Sequence, residues 1–394
     1  MINENHHGIM SWLLIVFLQN GIPDSKLFFF TIVSFNWKHL YLQLISATLF
    51  PDFSSGKLCV DDCSSLLIKW LIESFLFNGQ CCLMRKLLFL FLIPLLSAGG
   101  NNPAIDKKGE NNTPDTVLVY YLGGQSNMEG FGYNKDLPAE LKEGSGNVWI
   151  FNGNHVPDNG SGGGSGLWTE LKPGNGMGFS SDGITNIYSD RFGPELSFGS
   201  AISKLNPGRK IALIKYARGG TSLQYKTSAF GTWNPDFSIG RGQNQYDFFL
   251  KTVHSALSVS DIDSDGRPDV LVPAGIIWMQ GESDADHTME TAGLYKANLK
   301  QMMQLFRAAL HNKNLPVVIG LIADSKMDED GKMMDYLEVV QQAQREFVLE
   351  DKNAAIVEST LGYSFLTDKW HYTSADYIDL GEKFAESLIL LTRK

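Results

Sequence analysis

Ser126, in Gly124-Gln125-Ser126-Asn127-Met128, is the residue of this chain best placed to act as a nucleophile. It follows Val117-Leu118-Val119-Tyr120-Tyr121-Leu122, a β-branched and aromatic run that reads as a buried strand. The glycines between run and serine permit backbone angles that other residues avoid, so the hydroxyl stands at the tip of a sheet. Met128 occupies the place where a Gly-x-Ser-x-Gly turn would have its second glycine. A hydroxyl becomes nucleophilic only beside a base, and the base needs an orienting partner. Of eight histidines, His371 follows Asp368 by three residues. That offset lets one turn present a carboxylate and an imidazole to the same point, so that Asp368 sets the tautomer of His371. His287, after Asp284 and Asp286, is a rival base; His155 and His254 stand in polar contexts without an obvious acid partner. Acyl transfer also requires donors for a developing oxyanion. The N–H of Ser126, the N–H of Gly220 or Gly219, and the side-chain amide of Gln280 are suitable.

The elements that must position these groups alternate. Ile211–Tyr216, Leu271–Met279, Val317–Ile322 and Ala355–Val357 read as four further strands. Helical stretches separate them. Glu195–Leu205 ends at Asn206-Pro207-Gly208, and Tyr295, Leu299, Met302, Phe306 and Ala309 form one apolar stripe within 289–311. Segments 333–350 and 374–392 are also helical in pattern. Such alternation predicts an α/β fold, a mainly parallel five-stranded sheet covered on both faces. Ligands gather at the carboxyl ends of such strands, where Ser126, Gly219-Gly220 and Gln280 all fall. Residues 132–190 and 221–247 read as long loops over that core. Their aromatics (Trp149, Phe151, Trp168, Phe179, Tyr225, Phe230, Trp233, Phe237 and Tyr246) either stack on sugar rings or tether the loops.

The chain has 394 residues and a net charge of -10, which argues against a general nucleic-acid binder. The four cysteines, Cys59, Cys63, Cys81 and Cys82, all precede residue 84. Their spacing suits zinc poorly, and the remainder needs neither disulfide nor thiol chemistry. Met84-Arg85-Lys86, the apolar run Leu87–Leu96 and Ser97-Ala98-Gly99-Gly100 have the pattern of a secretory signal peptide over 84–99. Its apolar core is too short for a stable membrane span. A signal peptide belongs at a chain's beginning, so translation is predicted to start at Met84, with 1–83 an upstream extension without a selected fold. Residues 100–115 read as a flexible leader and 116–394 as the folded domain, secreted or periplasmic. Within it, Asp261, Asp263, Asp265 and Asp269 take positions 1, 3, 5 and 9 of a calcium-type loop with Gly266 at position 6. Val272 stands at position 12, so the bidentate carboxylate is missing. A weak structural calcium and a self-satisfied polar turn are both open.

Taken in order, Gly-Gln-Ser126-Asn-Met, Phe192-Gly193-Pro194-Glu195, Arg-Gly-Gly220-Thr-Ser, Trp278-Met-Gln280-Gly281-Glu282-Ser283-Asp284 and Asp368-x-x-His371 resemble the SGNH hydrolases. More narrowly they resemble the carbohydrate acetylesterases of the sialate O-acetylesterase and acetylxylan esterase type, carbohydrate esterase family 6. The resemblance covers about 116–392. It implies a three-layer α/β/α flavodoxin-like sandwich and hydrolysis of O-acetyl groups on oligo- or polysaccharides. It also implies Ser126 as nucleophile, His371 as general base, Asp368 as its orienter, and Gly220 and Gln280 as oxyanion donors. The general SGNH pattern has asparagine where Gln280 stands. Gln125, Asn127, Glu195, Gly219 and Glu282 are supporting candidates, Glu282 as a loop-holding or a site-orienting residue. No cofactor or catalytic metal is implied. A lipase or thioesterase of the same fold, and an inert carbohydrate-binding protein, are the alternatives.

Overall fold

The computed structural model describes residues 12–18, 29–35 and 42–48, and 115–393 apart from 157–161, 225–226, 229 and 238–243. Two units are distinguished, Met1–Asp106 and Lys107–Lys394. In the first, β1 (Trp12–Leu18), β2 (Phe29–Phe35) and β3 (Leu42–Thr48) form an antiparallel sheet in that order. The predicted signal segment, almost all of the leader and the four cysteines lie outside the described residues.

The second unit carries the chemistry. It opens with β4 (Asp115–Gly124), the short helix α1 (Ser126–Glu129), β5 (Gly132–Tyr133) and α2 (Ala139–Lys142). There follow β6 (Val148–Asn152), β7 (Trp168–Glu170), β8 (Ser180–Ser181), β9 (Asn186–Ile187), β10 (Arg191–Phe192), α3 (Glu195–Leu205), β11 (Lys210–Ala217) and α4 (Gln245–Leu257). The chain closes with β12 (Asp269–Met279), α5 (Glu282–Ala285), α6 (Met289–Ala309), β13 (Val317–Gly320), α7 (Leu337–Glu350), β14 (Ala354–Val357) and α8 (Ser374–Thr392).

The central sheet has seven strands in the order β14-β13-β12-β4-β11-β6-β7, not the five expected. All neighbours pair in parallel except β6 and β7. The two additional strands fall in 132–190. Both are short and bounded by Gly- and Asn-rich sequence, so neither shows a period of its own. The wound topology gives three layers. Tyr120 and Tyr121 leave β4 on opposite faces, as successive strand residues must. Tyr120 meets Phe198 of α3 edge-on at 5.5 Å. Tyr121 meets Phe249 of α4 at 4.8 Å and Phe306 of α6 at 5.2 Å. Helix α8 packs beside α3, and α7 beside α6. Burying each such aromatic or aliphatic side chain stabilises the fold by roughly 1.5–3 kcal/mol.

The sheet places the site. Chain order reverses around β4, with β11 on one side and β12 on the other. Gly124 stands opposite Ala217 of β11 and Met279 of β12. Three neighbouring strands therefore end level, and the residues after them meet at one rim, the switch point where α/β sheets bind ligands. Among the described residues no helix is long and apolar enough to cross a membrane.

Candidate active site

A backbone corner presents Ser126. Gly124 takes φ +147°, and a Cβ there would collide with the Met279 carbonyl. The N–H of Gln125 then donates to that carbonyl at 2.9 Å, and α1 begins at Ser126. Ser126 is 8% exposed and faces a cavity of about 620 Å³. Its walls include Gln125, Glu129, Phe131, Arg218, Gly219, Gly220, Glu282, Trp370 and His371.

His371 reaches this cavity from the loop before α8. That loop closes on itself, because the N–H of Leu366 donates to the carbonyl of His371 at 2.7 Å. Asp368 Oδ1 accepts the N–H groups of Trp370 (2.9 Å) and His371 (3.1 Å). Its Oδ2 lies 2.9 Å from His371 Nδ1. Partial burial alone would raise the Asp368 carboxyl; its bonds to the His371 ring and to these N–H groups outweigh that and hold it below the usual range. An ionised carboxylate only accepts, so Nδ1 carries a proton toward Asp368 and Nε2 is the ring nitrogen left over. The ring lies flat on Phe131, 3.5 Å between centroids and 3° between planes. The three-residue offset thus does what the sequence suggested, and Phe131 adds a platform that no motif announced.

The oxyanion donors are distributed differently. Gly219 packs against the serine, since a Cβ on it would lie 3.3 Å from Ser126 Cβ. Its N–H, however, donates to Glu129 Oε2 at 2.7 Å, whereas the N–H of Gly220 has no partner among the described residues. Gln280 corrects the expectation. It is fully buried, and its Nε2 donates to Asp284 Oδ2 at 2.7 Å and to the Thr221 carbonyl at 3.2 Å. Both of its N–H bonds are committed, so it offers nothing to the cavity. Asp284 also accepts the N–H groups of Leu223 and Gln224, and burial pushes its carboxyl up to about 6. Gln280 and Asp284 therefore brace the segment after Gly220.

Supporting residues tie the catalytic segments together. Asn127 is 1% exposed. Its Nδ2 donates to Glu282 Oε1 at 2.7 Å and to the Trp370 carbonyl at 3.2 Å, while its Oδ1 accepts Tyr377 O–H at 2.7 Å. One side chain so joins the serine turn to α5, to the histidine loop and to α8. Glu282 both holds Asn127 and lines the cavity, its carboxyl pushed up by burial. Gln125 Oε1 accepts the N–H groups of Gly281 and Ser283, both at 3.3 Å. Glu195 does not line the cavity. It pairs with Lys215 Nζ at 2.7 Å, each side chain 1% exposed, and Lys215 also donates to the carbonyls of Glu129 and Asn175. No motif marked out Lys215, which stands in an apolar strand where a lysine is tolerated only when fully bonded.

The loop aromatics mostly tether. Phe151, Phe179, Trp233 and Phe237 are buried, and Trp168 Nε1 donates to the Ala256 carbonyl at 2.9 Å. Phe230 is 52% exposed and lines the cavity; Tyr225 lies outside the described residues. His287 lines the cavity too, whereas His155 approaches Glu129, an acid partner that sequence distance concealed.

Of the four aspartates of the calcium-type loop, Asp261, Asp263 and Asp265 bring one oxygen each within 4.8 Å of one another. Asp269 turns inward instead, to Ile262 N–H at 2.8 Å and Lys210 Nζ at 2.9 Å. Lys210 also pairs with Asp263, and Arg267 with Asp265. The loop's own cations and backbone N–H groups already bond to several of these oxygens, so the loop satisfies much of its polarity by itself.

A wound parallel sheet between two helical layers, with a serine corner at its central strand and an Asp–His loop beside it, defines an SGNH-type hydrolase fold. A family model described as carbohydrate esterase, sialic acid-specific acetylesterase, matches residues 116–390, and the chain belongs to that family. It is a carbohydrate O-acetylesterase, a carboxylic ester hydrolase acting on acetylated carbohydrate. No curated protein sequence matches it. Similar solved structures include a protein of Arabidopsis thaliana, 21% identical over 71% of this chain and 99% of its own, TM-score 0.48. NanS is 15% identical over 71% and 99%, TM-score 0.47. A carbohydrate acetylesterase of Xanthomonas citri is 18% identical over 71% and 56%, TM-score 0.45.

Proposed function

We propose that the chain is a secreted serine esterase that removes O-acetyl groups from carbohydrates through an acetyl-enzyme. Ser126 Oγ attacks the acetyl carbonyl and passes its proton to Nε2 of His371. The tetrahedral oxyanion lies against the N–H groups of Ser126 and Gly220. Collapse breaks the ester bond, and His371 returns the proton to the departing sugar oxygen. Water then repeats the sequence on the acetyl-serine and releases acetate. Asp368 holds the ring and stabilises the imidazolium in both halves.

The observation that carries this reading is the convergence of Ser126, Gly220 and an Asp368-bound His371 on one cavity. An inert sugar-binding protein would have no use for a histidine held in a defined tautomer. Secretion rests on the 84–99 pattern alone, and a mature N-terminus just past residue 99 is the expected result of sequencing the native protein. The decisive experiment measures acetate release from a panel of acetylated glycans. Ser126→Ala should abolish release while leaving the melting temperature within a few degrees; retained turnover would end the serine mechanism.

A further inference from the structure

Glu129 closes α1 three residues after the serine, 4% exposed, yet the mechanism above gives its carboxylate no task. Its surroundings form a ring. Oε2 accepts the N–H of Gly219 at 2.7 Å. Oε1 lies 2.9 Å from His155 Nε2, and Arg218 Nη1 lies 3.1 Å from His155 Nδ1. Arg218 precedes Gly219 in the chain, so the ring returns to where it began. Guanidinium only donates, so His155 accepts at Nδ1 and its Nε2 is the ring nitrogen next to Glu129 Oε1, close to it but not aligned for a hydrogen bond. The ring joins the carboxyl ends of β4, β11 and β6, since His155 follows β6 by three residues.

We propose that Glu129, fixed by His155 and Arg218, is a positioning residue that aims the oxyanion donor of Gly220; this rests on the serine-esterase reading above. Gly219 is pressed between two groups: a Cβ there would lie 3.2 Å from Glu129 Oε2 and 3.3 Å from Ser126 Cβ. Bonding Gly219's N–H to the carboxylate fixes the peptide before the donor. Gly220, at φ +67°, then turns in the left-handed region, and its own N–H has no partner among the described residues. The carboxylate also suits the ring because it offers two acceptors and no donor. A neutral amide fits poorly: if its oxygen serves Gly219, its NH2 faces the Nε2–H of His155. Imidazole has no escape by changing tautomer, because Nδ1 faces the guanidinium. Burial opposes the charge on Glu129, but the His155 contact, the Gly219 N–H and the Arg218 charge outweigh it.

The test is Glu129→Gln in the full chain, assayed for acetate release and for inhibition by a small boronic acid. A boronic acid forms a tetrahedral adduct on the serine and places a negative oxygen in the oxyanion site. Removing an oxyanion donor costs on the order of a hundred- to a thousand-fold in rate, and mis-aiming one costs less. The expected result is kcat lowered roughly ten- to a hundred-fold, boronate affinity lowered by a similar factor, and KM within about twofold. A group that merely stabilised the fold would lower the melting temperature without moving kcat and boronate affinity together. Unchanged kcat, or a raised KM at unchanged kcat, overturns the proposal. If the variant does not fold, His155→Ala is assayed the same way and read by the same criteria. Ser126→Ala, run alongside, separates the two claims: its activity reports on the serine mechanism whatever Glu129→Gln does.

Discussion

Asn127→Asp exchanges one amide nitrogen for an oxygen at almost no change in volume, and it strikes the junction of the serine turn with α5, the histidine loop and α8. The new side chain still accepts from Tyr377, but an oxygen replaces the NH2 that lay 2.7 Å from Glu282 Oε1 and 3.2 Å from the Trp370 carbonyl. Glu282 is 2% exposed, so water does not separate the two carboxylates. They coexist only with a proton between them, and they titrate as a pair. Like charges at this distance in a buried site push the second ionisation of the pair well above the usual carboxylate range, and burial already raises the Glu282 carboxyl. A folded-state value above the unfolded one means stability that is fully present below the unfolded pKa and lost as pH rises through the folded one. Relative to the parent, the variant should lose about 1–2 kcal/mol at pH 5 and about 3–4 kcal/mol at pH 8. At roughly 2–4 °C per kcal/mol, the melting temperatures should separate by only a few degrees at pH 5 and on the order of 10 °C at pH 8. Calorimetry of both proteins from pH 5 to 8 measures this, and kcat should fall with the same pH trend as the histidine loop loosens. Two melting curves that run parallel across this range would refute the bridging role of Asn127. Asn127→Leu is the control, its loss being independent of the new charge.

Three further perturbations test other parts of the site. Asp368→Asn should lower kcat on the order of a thousand- to ten-thousand-fold with little change in KM, because the amide no longer enforces the Nδ1–H tautomer; steady-state acetate release checks it. Lys215→Met leaves the Glu195 carboxylate buried and unpaired and should cost about 3–5 kcal/mol in denaturant unfolding. Adding Glu195→Leu should recover much of that loss, whereas an additive loss would show that the pair is not the unit. Millimolar calcium against a chelator should move the melting temperature by less than about 1 °C, since Lys210 and Arg267 already pair with Asp263, Asp265 and Asp269.

Periodicity carried most of the fold. Helices Glu195–Leu205 and Ser374–Thr392 fall where the sequence patterns put them, and five strand positions recur in the sheet. What escaped was local sequence too short to have a period. Val148–Asn152 and Trp168–Glu170 become strands only because β11 and then β6 offer an edge to pair with. The site divides the same way. Asp368 and His371 are near in sequence, so their contact could be anticipated. His155 and Glu129 lie in different segments, and nothing local reveals that β6 runs beside β11. Gln280 was misassigned because an amide after a strand end looks like a donor, and only coordinates reveal that Asp284, four residues on, already holds it.

That division bears on how a four-residue helix can present the proposed nucleophile. A single turn such as α1 cannot hold itself; its backbone bonds do not repay the entropy of forming it. Its side chains must be fixed from outside, and the sequence spaces them for that. Asn127 points one way, to Glu282 and Tyr377; Glu129 points another, to Gly219 and His155. Lys215 holds the carbonyl of Glu129 from beneath. The serine thus stands on a turn gripped by the ends of β11 and β12 and by α8, and each grip is a hydrogen bond to a largely buried polar side chain. In such a platform the rate should respond more steeply than stability to any one grip. Global unfolding free energy is shared across the whole sheet, whereas the Ser126–His371–Gly220 geometry depends on these few contacts.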